Sequence, residues 1–438
     1  MPDIRPFRAL RYDPATVTDP AVVVAPPYDV IDAAGEARLL ERDAANVVRL
    51  DKPGEQAGDG PDDRYRRAAR TLAAWRSDGT LHKDPHPSLY VYEQTYRVPG
   101  TEVDRTQRGF FARLRLQAFD EGGVLPHERT MSAPKEDRYK LLRATGVNTS
   151  PVVALYDDGA AVGGRVLDVL TGERADIDLR DDDGVRHRLW AVAADGEGGD
   201  AVAPLLAAAS RGPVTIADGH HRYETALRYR DERRMSRSCE EDPAFDYILT
   251  LFIDVAEPIT VLPTHRVLRD LGAGATSTLL DRAEHLFRVE RGVDQASLRR
   301  AFDAAALAPG GEGRFGLWTR GGGALLTARR EAFSGLLPDG GAAFRSLDVT
   351  LLGVALAHLA AIDEDAVAAG AIAYTKSAAD AIERVDGHVD GADAAFLLEA
   401  TPVRDVLAVA ADGDVMPQKS TYFYPKALTG LVINPHEW

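Results

Sequence analysis

One stretch of this chain concentrates side chains that can do chemistry. It reads Asp218-Gly219-His220-His221-Arg222. An apolar run typical of a strand precedes it, and residues at helical spacing follow it. Backbone N–H groups at the start of a helix are unpaired and favour an anion, and a carboxylate can act as an acid or a base. The stretch therefore predicts a strand, a tight turn and a helix start that hold an anion beside Asp218.

Two other interpretations of this turn are open. Asp218 could simply cap the helix, although a cap leaves the two histidines and the arginine behind it unexplained. His220 and Glu224, four residues apart, could bind a metal ion, but zinc needs more ligands than this stretch supplies. We therefore expect function rather than capping, and no metal bound by protein side chains.

A second stretch combines a histidine, a carboxylate and several cations. Its candidates are His127, Glu128, Arg129, Lys135 and Arg138. A carboxylate beside cations on a loop can serve as a general base, which makes Glu128 a candidate. The alternative is the solvated face of a helix, which suits the later cations of the stretch better than the residues around Glu128.

Three further clusters could contribute to a site. They are Tyr28-Asp29 after two prolines, Thr264-His265-Arg266 at the end of a predicted strand, and Lys419 with Lys426 near the C-terminus. The first two could equally be an ordinary turn and an ordinary surface pair. The C-terminal segment is apolar, aromatic and cationic. Because free tails are usually polar, we expect this segment to be docked on the protein.

Lysine is rare in this chain. Of the 52 lysines and arginines, seven are lysines, namely Lys52, Lys83, Lys135, Lys140, Lys376, Lys419 and Lys426. Ammonium and guanidinium groups are not interchangeable, so the rare lysines suggest positions that need an ammonium. Four of the seven fall in two short segments, 135–140 and 419–426.

Composition limits the class of protein. The chain has 438 residues, 45% of them hydrophobic, and a formal net charge of -16, which allows two or three domains and disfavours binding to nucleic acid or to a membrane surface. The single cysteine, Cys239, excludes a disulfide within the chain and is interpreted as an incidental thiol. No signal-peptide pattern or membrane-spanning run is visible, so we expect a cytoplasmic protein. The oligomeric state is left open.

The periodicity predicts a mixed α/β fold in three regions. These are an N-terminal α/β region (1–120), a core that carries the turn (121–274), and a C-terminal α/β region (275–438) whose tail docks on the site. We expect short hairpins with exposed loops over 157–200 and a strand over 404–409. Residues 311–316 fit G-x-G-x-x-G, but they precede a strand, so they do not predict a dinucleotide site.

The motifs resemble the bacterial and archaeal family called domain of unknown function 1015. The matching stretches are 25–31, 127–130, 134–138, 150–151, 217–226, 262–266, 424–426 and 430–433. The resemblance spans nearly the whole chain, but the family name implies no activity.

The Asp-Gly-His-His-Arg turn is also similar to that of the partition-protein-B/sulfiredoxin-like fold, and in particular to its free-serine kinases. This resemblance implies that the turn binds nucleotide phosphates, that Asp218 is catalytic, and that an upstream glutamate activates the substrate hydroxyl. Glu128 is the candidate for that glutamate by order and local pattern. The implied fold is a partition-protein-B/sulfiredoxin-like core with large insertions, one of them at about 157–200.

The first hypothesis is a nucleotide-dependent phosphotransferase that acts on a small hydroxylated metabolite, with free L-serine as the first guess. ATP or ADP would be the cofactor, and Mg²⁺ would bridge its phosphates. The predicted phosphate-binding residues are Gly219, His220, His221, Arg222, Lys135, Arg138, His265, Arg266, Lys419 and Lys426. The predicted substrate-binding residues are His127, Arg129, Thr264, Tyr28 and Asp29.

Two other functions are kept as alternatives. One is a nucleotide-binding regulatory switch without turnover, and the other is a phosphate-ester hydrolase that uses the same pocket. A DNA-binding role ranks last because of the charge. The sharpest structural expectation is that Asp218, Glu128 and Lys135 line one pocket with His265.

Overall fold

The computed structural model describes residues 1–130, 132–235, 240–303, 307 and 310–438, and Cys239 lies outside the described residues. The helices are α1 (Ala33–Arg42), α2 (Val48–Asp51), α3 (Asp63–Ser77), α4 (Ser132–Thr145), α5 (Val162–Thr171), α6 (Gly199–Ala209), α7 (His220–Arg234), α8 (Ala273–Ala283), α9 (Gln295–Asp303), α10 (Arg330–Phe333), α11 (Ala342–Ser346), α12 (Asp348–Ala360), α13 (Glu364–Ala368), α14 (Ala378–Asp386) and α15 (Val403–Ala411). The strands are β1 (Ile4–Arg5), β2 (Leu10–Tyr12), β3 (Leu81–Lys83), β4 (Ser88–Arg97), β5 (Asp104–Arg115), β6 (Val124–Leu125), β7 (Val147–Asn148), β8 (Val152–Tyr156), β9 (Ile177–Arg180), β10 (Arg186–Ala193), β11 (Val214–Asp218), β12 (Tyr247–Asp254), β13 (Thr260–Leu262), β14 (His265–Arg269), β15 (Phe287–Val293), β16 (Arg314–Thr319), β17 (Gly322–Ala328), β18 (Ile372–Thr375), β19 (Ala392–Leu398), β20 (Tyr422–Tyr424) and β21 (Asn434–Pro435). The fold is mixed α/β, as the sequence predicts.

The larger sheet carries the turn. Nine strands of the described part of the chain form it, in the order β6-β11-β8-β12-β5-β4-β10-β9, with β1 paired to β5. Every residue of β12 is buried, because this apolar strand lies in the middle of the sheet. β11 and α7 confirm the predicted strand, turn and helix. The turn therefore lies near one edge of the sheet, next to β6 and β8.

A second sheet lies in the C-terminal half. Its strands run in the order β15-β17-β16-β19-β14-β18, and neighbours are antiparallel throughout. The glycines before β16 bind the first residue of α12. The N–H groups of Gly311 and Gly313 both donate to the Asp348 carboxylate at 2.9 Å. As expected, this motif leads into a strand.

Two local expectations differ from the structure. Residues 157–200 contain an expected hairpin, β9–β10, but they also form helix α5, and β10 pairs along its whole length with β4 of the larger sheet. Residues 403–411 form helix α15, where Val406, Val409 and Ala410 are buried at a helical spacing. The valines suggested a strand, but the burial of one helical face decides the outcome.

The predicted regions share structural elements. β4 and β5 of the first region pair with strands of the second, and β14 belongs to the sheet of the third. One hydrophobic cluster contains Leu251 of the larger sheet together with Leu268 and Phe315 of the smaller one. The boundaries at 120 and 274 stay predictions. No helix among the described residues is long and apolar enough to cross a membrane.

The C-terminal segment crosses the molecule. β20 pairs with β13, and β21 pairs with β7. Between them, Ser150 and Thr429 share a hydrogen bond of 2.6 Å between their hydroxyl groups, and residues 427–435 are buried. This path brings the cationic part of the segment to the turn.

Candidate functional site

The turn depends on Gly219. This residue has a φ of 92°, a conformation that side chains disfavour. A Cβ there would lie 3.0–3.2 Å from guanidinium atoms of Arg222. The absent side chain therefore lets Arg222 fold back over the turn. Gly219, and not Asp218, is the N-cap of α7, so the interpretation of Asp218 as a helix cap is wrong.

Asp218 lies between two cations. Its Oδ2 is 2.5 Å from Arg222 Nη2, and its Oδ1 contacts Lys426 Nζ. Arg222 also donates to the carbonyl of Pro151. Burial alone would raise the pKa of Asp218, but the charges of Lys426 and Arg222 outweigh it and hold the pKa well below its usual range. Asp218 is thus a permanent anion that fixes two cations.

Glu128 differs from Asp218 because it can take up a proton near neutral pH. Its Oε1 accepts a hydrogen bond of 3.0 Å from the Lys419 amide, and its backbone forms a bridge with Met416. Burial raises the pKa of Glu128 to about 7, although the amide and the charges of Lys419 and Lys426 lower it. A carboxylate with this pKa suits a general base.

Lys426 connects the two carboxylates. Its ammonium pairs directly with Asp218 and also acts electrostatically on Glu128. One ammonium thus acts on both Asp218 and Glu128, and the pocket that the two residues are expected to share stays a prediction.

A buried pair of histidines supports the turn. The rings of His127 and His220 lie edge to face, 4.6 Å between centroids. His127 Nδ1 lies 2.5 Å from the carbonyl of Ile216 and must donate to it, so Nε2 accepts from the Thr421 hydroxyl at 2.9 Å. Burial lowers the pKa of His127 to about 4, and burial together with His127 lowers that of His220. Both rings are neutral and bind the turn to the C-terminal segment.

Several charged groups act on His221. Lys135 Nζ pairs with Glu224, one helical turn beyond His221. Burial lowers the pKa of His221, Glu224 raises it, and Lys135, Asp29 and Lys419 also act on it. The predicted cations Lys135 and Lys419 therefore lie within electrostatic range of His221.

Arg138 has a structural environment. Its guanidinium lies 4.0 Å from the centre of the Tyr28 ring, and it donates to the backbone carbonyl of Asp51 at 2.5 Å and to the carboxylate of Asp137 at 2.6 and 2.9 Å. Burial raises the pKa of Tyr28 to about 12, whereas the charge of Arg222 lowers it. Tyr28 therefore lies near the site, and Arg138 holds it there.

Thr264 and Arg266 support the loop of Lys419. The Thr264 hydroxyl donates to the Lys419 carbonyl at 2.6 Å and accepts from Arg266 Nη1 at 2.6 Å. Arg266 is buried, forms no ion pair within the part of the chain that the structure describes, and acts electrostatically on Glu128. Its guanidinium therefore adds positive charge near Glu128.

Among the described residues, no hydrogen bond or ion pair joins His265 or Arg129 to Asp218. His265 is fully buried at the start of β14 in the smaller sheet, where its Nδ1 accepts from the Leu398 amide at 3.2 Å. The expectation of one pocket shared with His265 stays a prediction. Arg129 is exposed and pairs with Glu364 at 3.0 Å. The functional roles predicted for both residues remain predictions.

Sequence reasoning missed two residues of this region. Lys376 Nζ lies 3.9 Å from the centre of the Tyr422 ring, and Lys426 Nζ lies 4.3 Å from the same centre. Tyr422 belongs to β20 and Lys376 lies in the loop between β18 and α14, so the two are distant in sequence. The rarity of lysine was the available signal for Lys376.

The comparisons with known proteins place the chain in a family. Residues 4–350 match the family model described as "Protein of unknown function (DUF1015)". Because this match covers more than half of the chain, the chain belongs to that family. Lys376, Lys419 and Lys426 lie beyond the matched residues.

Solved structures give distant likenesses. One is a free serine kinase in complex with AMP, at 14% identity and a TM-score of 0.35, which covers 77% of this chain and 95% of that one. Another is a conserved hypothetical protein from Pyrococcus furiosus, at 13% identity and a TM-score of 0.33, with 74% and 93% covered. A third is SbnI with a C-terminal truncation from Staphylococcus aureus, at 10% identity and a TM-score of 0.33, with 70% and 82% covered. Among curated proteins none is significantly similar. The distant resemblance to free-serine kinases is confirmed, and the chemistry must be argued from this chain's own residues.

Proposed function

We propose that this chain transfers a phosphoryl group from ATP or ADP to a hydroxyl group of a small metabolite, with free L-serine as the first guess. The observation that carries this proposal is that the Lys426 ammonium pairs with Asp218 and also acts electrostatically on Glu128. Phosphoryl transfer depends mainly on positioning and on neutralising charge. The site combines fixed cations with one carboxylate whose pKa is near neutrality.

The phosphates would bind at the start of α7. Gly219, the N-cap of α7, has no side chain to cap the helix, and N–H groups at the start of a helix attract anions. Arg222 lies in the first turn of α7, where Asp218 fixes it, and Lys135 acts electrostatically on His221. This placement supports the roles that the motif resemblance implies for these residues.

Glu128 would act on the acceptor. It would take the proton of the acceptor hydroxyl while that oxygen forms a bond to the terminal phosphorus, and the bond from this phosphorus to the bridging oxygen of the nucleotide would break. Asp218 is unsuited to that proton, because its pKa is held low. Its role is to hold Arg222 and Lys426 in position. Magnesium bridging the phosphates remains a prediction.

Product analysis tests the proposal. The protein is incubated with ATP or ADP, magnesium chloride and a panel of hydroxylated amino acids and metabolites, and phosphorylated products are followed by mass spectrometry. We expect a product with the wild type, and a loss of at least about 100-fold with Glu128→Gln, as for the removal of a general base. Lys140→Met is the matched control, because Lys140 pairs with Asp62 on the exposed face of α4.

The other outcomes would favour one of the alternative functions or contradict the proposed site. Nucleotide binding without a product would favour the regulatory switch, and release of phosphate without an acceptor would favour the hydrolase. If Asp218→Asn and Arg222→Met leave nucleotide binding and turnover at the wild-type level, the proposed site is wrong.

A further inference from the structure

We propose that Lys376 and Lys419 form a second anion site, which binds a negatively charged group of the acceptor. This inference rests on the proposed function and makes its substrate a hydroxylated anion, either a carboxylate or a phosphate ester. Lys376 shares the Tyr422 ring with Lys426, the lysine that pairs with Asp218.

Two ammonium groups lie against the Tyr422 ring, and a third acts electrostatically on one of them. Lys376 and Lys426 both lie within 4.3 Å of the centre of its ring, and Lys419 acts electrostatically on Lys376. Lys376 comes from the loop between β18 and α14, whereas the other two belong to the C-terminal segment. Sequence-distant parts of the fold therefore supply one cluster of positive charge.

Two of these three charges have no direct anionic partner. Lys426 pairs with Asp218, but Lys376 and Lys419 form no ion pair with any other described residue. The carboxylates that act on Lys376 do so only at longer range, from Asp29 and Asp183. Burial and the charges of Lys426 and Lys419 lower the pKa of Lys376. A bound anion would relieve this repulsion.

Each oxygen of Asp218 contacts a different cation. Oδ2 faces Arg222 and the start of α7, where the nucleotide phosphates are proposed, and Oδ1 faces Lys426. Glu128 lies on the Lys426 side, because its carboxylate accepts from the Lys419 amide. An acceptor whose hydroxyl meets Glu128 would therefore place its remaining groups towards Lys419 and Lys376.

The chemistry of the cluster indicates the class of ligand. An ammonium is a compact point charge that binds a carboxylate or a phosphate without the planar geometry of a guanidinium. In a chain where arginine is the usual cation, ammonium groups converge here. The Tyr422 ring offers an apolar face beside them, which suits the short carbon chain of a small hydroxylated anion.

Three ligands with one carbon skeleton test the site. Binding of glycerol, glycerate and glycerol 3-phosphate is measured by calorimetry without nucleotide, for the wild type, Lys376→Met, Lys376→Arg and the control Lys140→Met. We expect one of the two anions to bind and glycerol not to bind; whichever anion binds better identifies carboxylate or phosphate as the preferred group. Lys376→Met should weaken this binding about 10-fold, as for the loss of a charge-assisted hydrogen bond, and Lys376→Arg should restore part of it.

Several outcomes would overturn the inference. They are an absence of binding by both anions, equal binding of glycerol, or wild-type affinity in Lys376→Met. The inference also fails if Lys376→Met weakens the binding of ADP but leaves that of both anions unchanged, since the lysine would then serve the nucleotide. Because nucleotide is absent from the main measurement, anion binding that depends on Lys376 without turnover contradicts only the proposed function. Turnover with an acceptor KM that is indifferent to Lys376 contradicts only this inference.

Discussion

Lys426 and Asp218 lie 208 positions apart in the sequence, and their side chains form a buried ion pair. The ammonium arrives on the C-terminal segment, after β20 has paired with β13. The charge of the turn is therefore completed only when the end of the chain docks. Stability and activity should both depend on this pair.

Lys426→Met should destabilise the protein by about 3 kcal/mol, because removing one partner leaves a buried carboxylate that is only half compensated. Lys426→Arg should recover part of this loss, and Lys140→Met should change the free energy of unfolding by less than about 0.5 kcal/mol. Urea denaturation measures all three variants. The pKa of Asp218, followed by NMR, should rise in Lys426→Met; an unchanged pKa would contradict the assigned pairing.

Glu128 should give the reaction its pH dependence. A general base acts when it is deprotonated, so kcat/KM should rise with pH and level off above about pH 7, the pKa that burial gives Glu128. Glu128→Gln should remove this rise along with most of the activity. A wild-type profile that is flat between pH 5 and 8 would argue against Glu128 as the base.

The same group should affect stability in the opposite direction. Its pKa in the folded protein is raised from 4.5 to about 7, so its contribution is full below about pH 4.5 and is lost as the pH rises through about 7. Glu128→Gln avoids the burial of a charge and should therefore gain stability relative to the wild type between pH 5 and pH 8. Glu136→Gln, at an exposed position, should show no such change. Urea denaturation of the wild type and both variants at pH 5 and pH 8 measures these differences in stability.

Gly219→Ala should damage the turn. Its φ of 92° and the guanidinium of Arg222 at 3.0–3.2 Å both oppose a Cβ, so we expect a loss of about 1–3 kcal/mol and weaker nucleotide binding. Gly212→Ala is the matched control, because nothing lies within 4 Å of its Cβ position. Equal melting temperatures and equal nucleotide affinities for the two variants would refute the structural requirement.

The turn was predictable because its determinants are local. An apolar run, an Asp-Gly pair and helical spacing lie within one short stretch, and the structure has β11 and α7 there. Glu128 is a candidate because of its order in the chain and its charged neighbours. Its electrostatic link to Asp218, by contrast, depends on Lys426, which comes from the other end of the sequence.

The errors have the same physical origin. The sequence predicts His265 at the end of a strand. In the structure, β13 ends before Pro263 and Thr264, and β14 begins at His265 in another sheet. The sequence does not assign Lys376 to the site, because only tertiary packing brings it to Tyr422. Which strands pair, and which long-range charges meet, depends on contacts that local patterns do not encode.

The hydrogen bond between His127 and Thr421 should control how firmly the C-terminal segment is held. Thr421→Val removes the hydroxyl that donates to His127 Nε2 and should cost about 1–2 kcal/mol, because the buried acceptor loses its partner. Burial also lowers the pKa of His127 from 6.5 to about 4, so its contribution to stability is full above about pH 6.5 and is lost as the pH falls through about 4. Limited proteolysis at pH 7 should cleave the C-terminal segment sooner in Thr421→Val than in the wild type, and the wild type should itself become more sensitive near pH 4.5 with an acid-stable protease. Thr171→Val removes a hydroxyl bonded only within α5 and should leave this cleavage unchanged. If both variants lose the segment at the same rate, the His127 contact does not hold it in place.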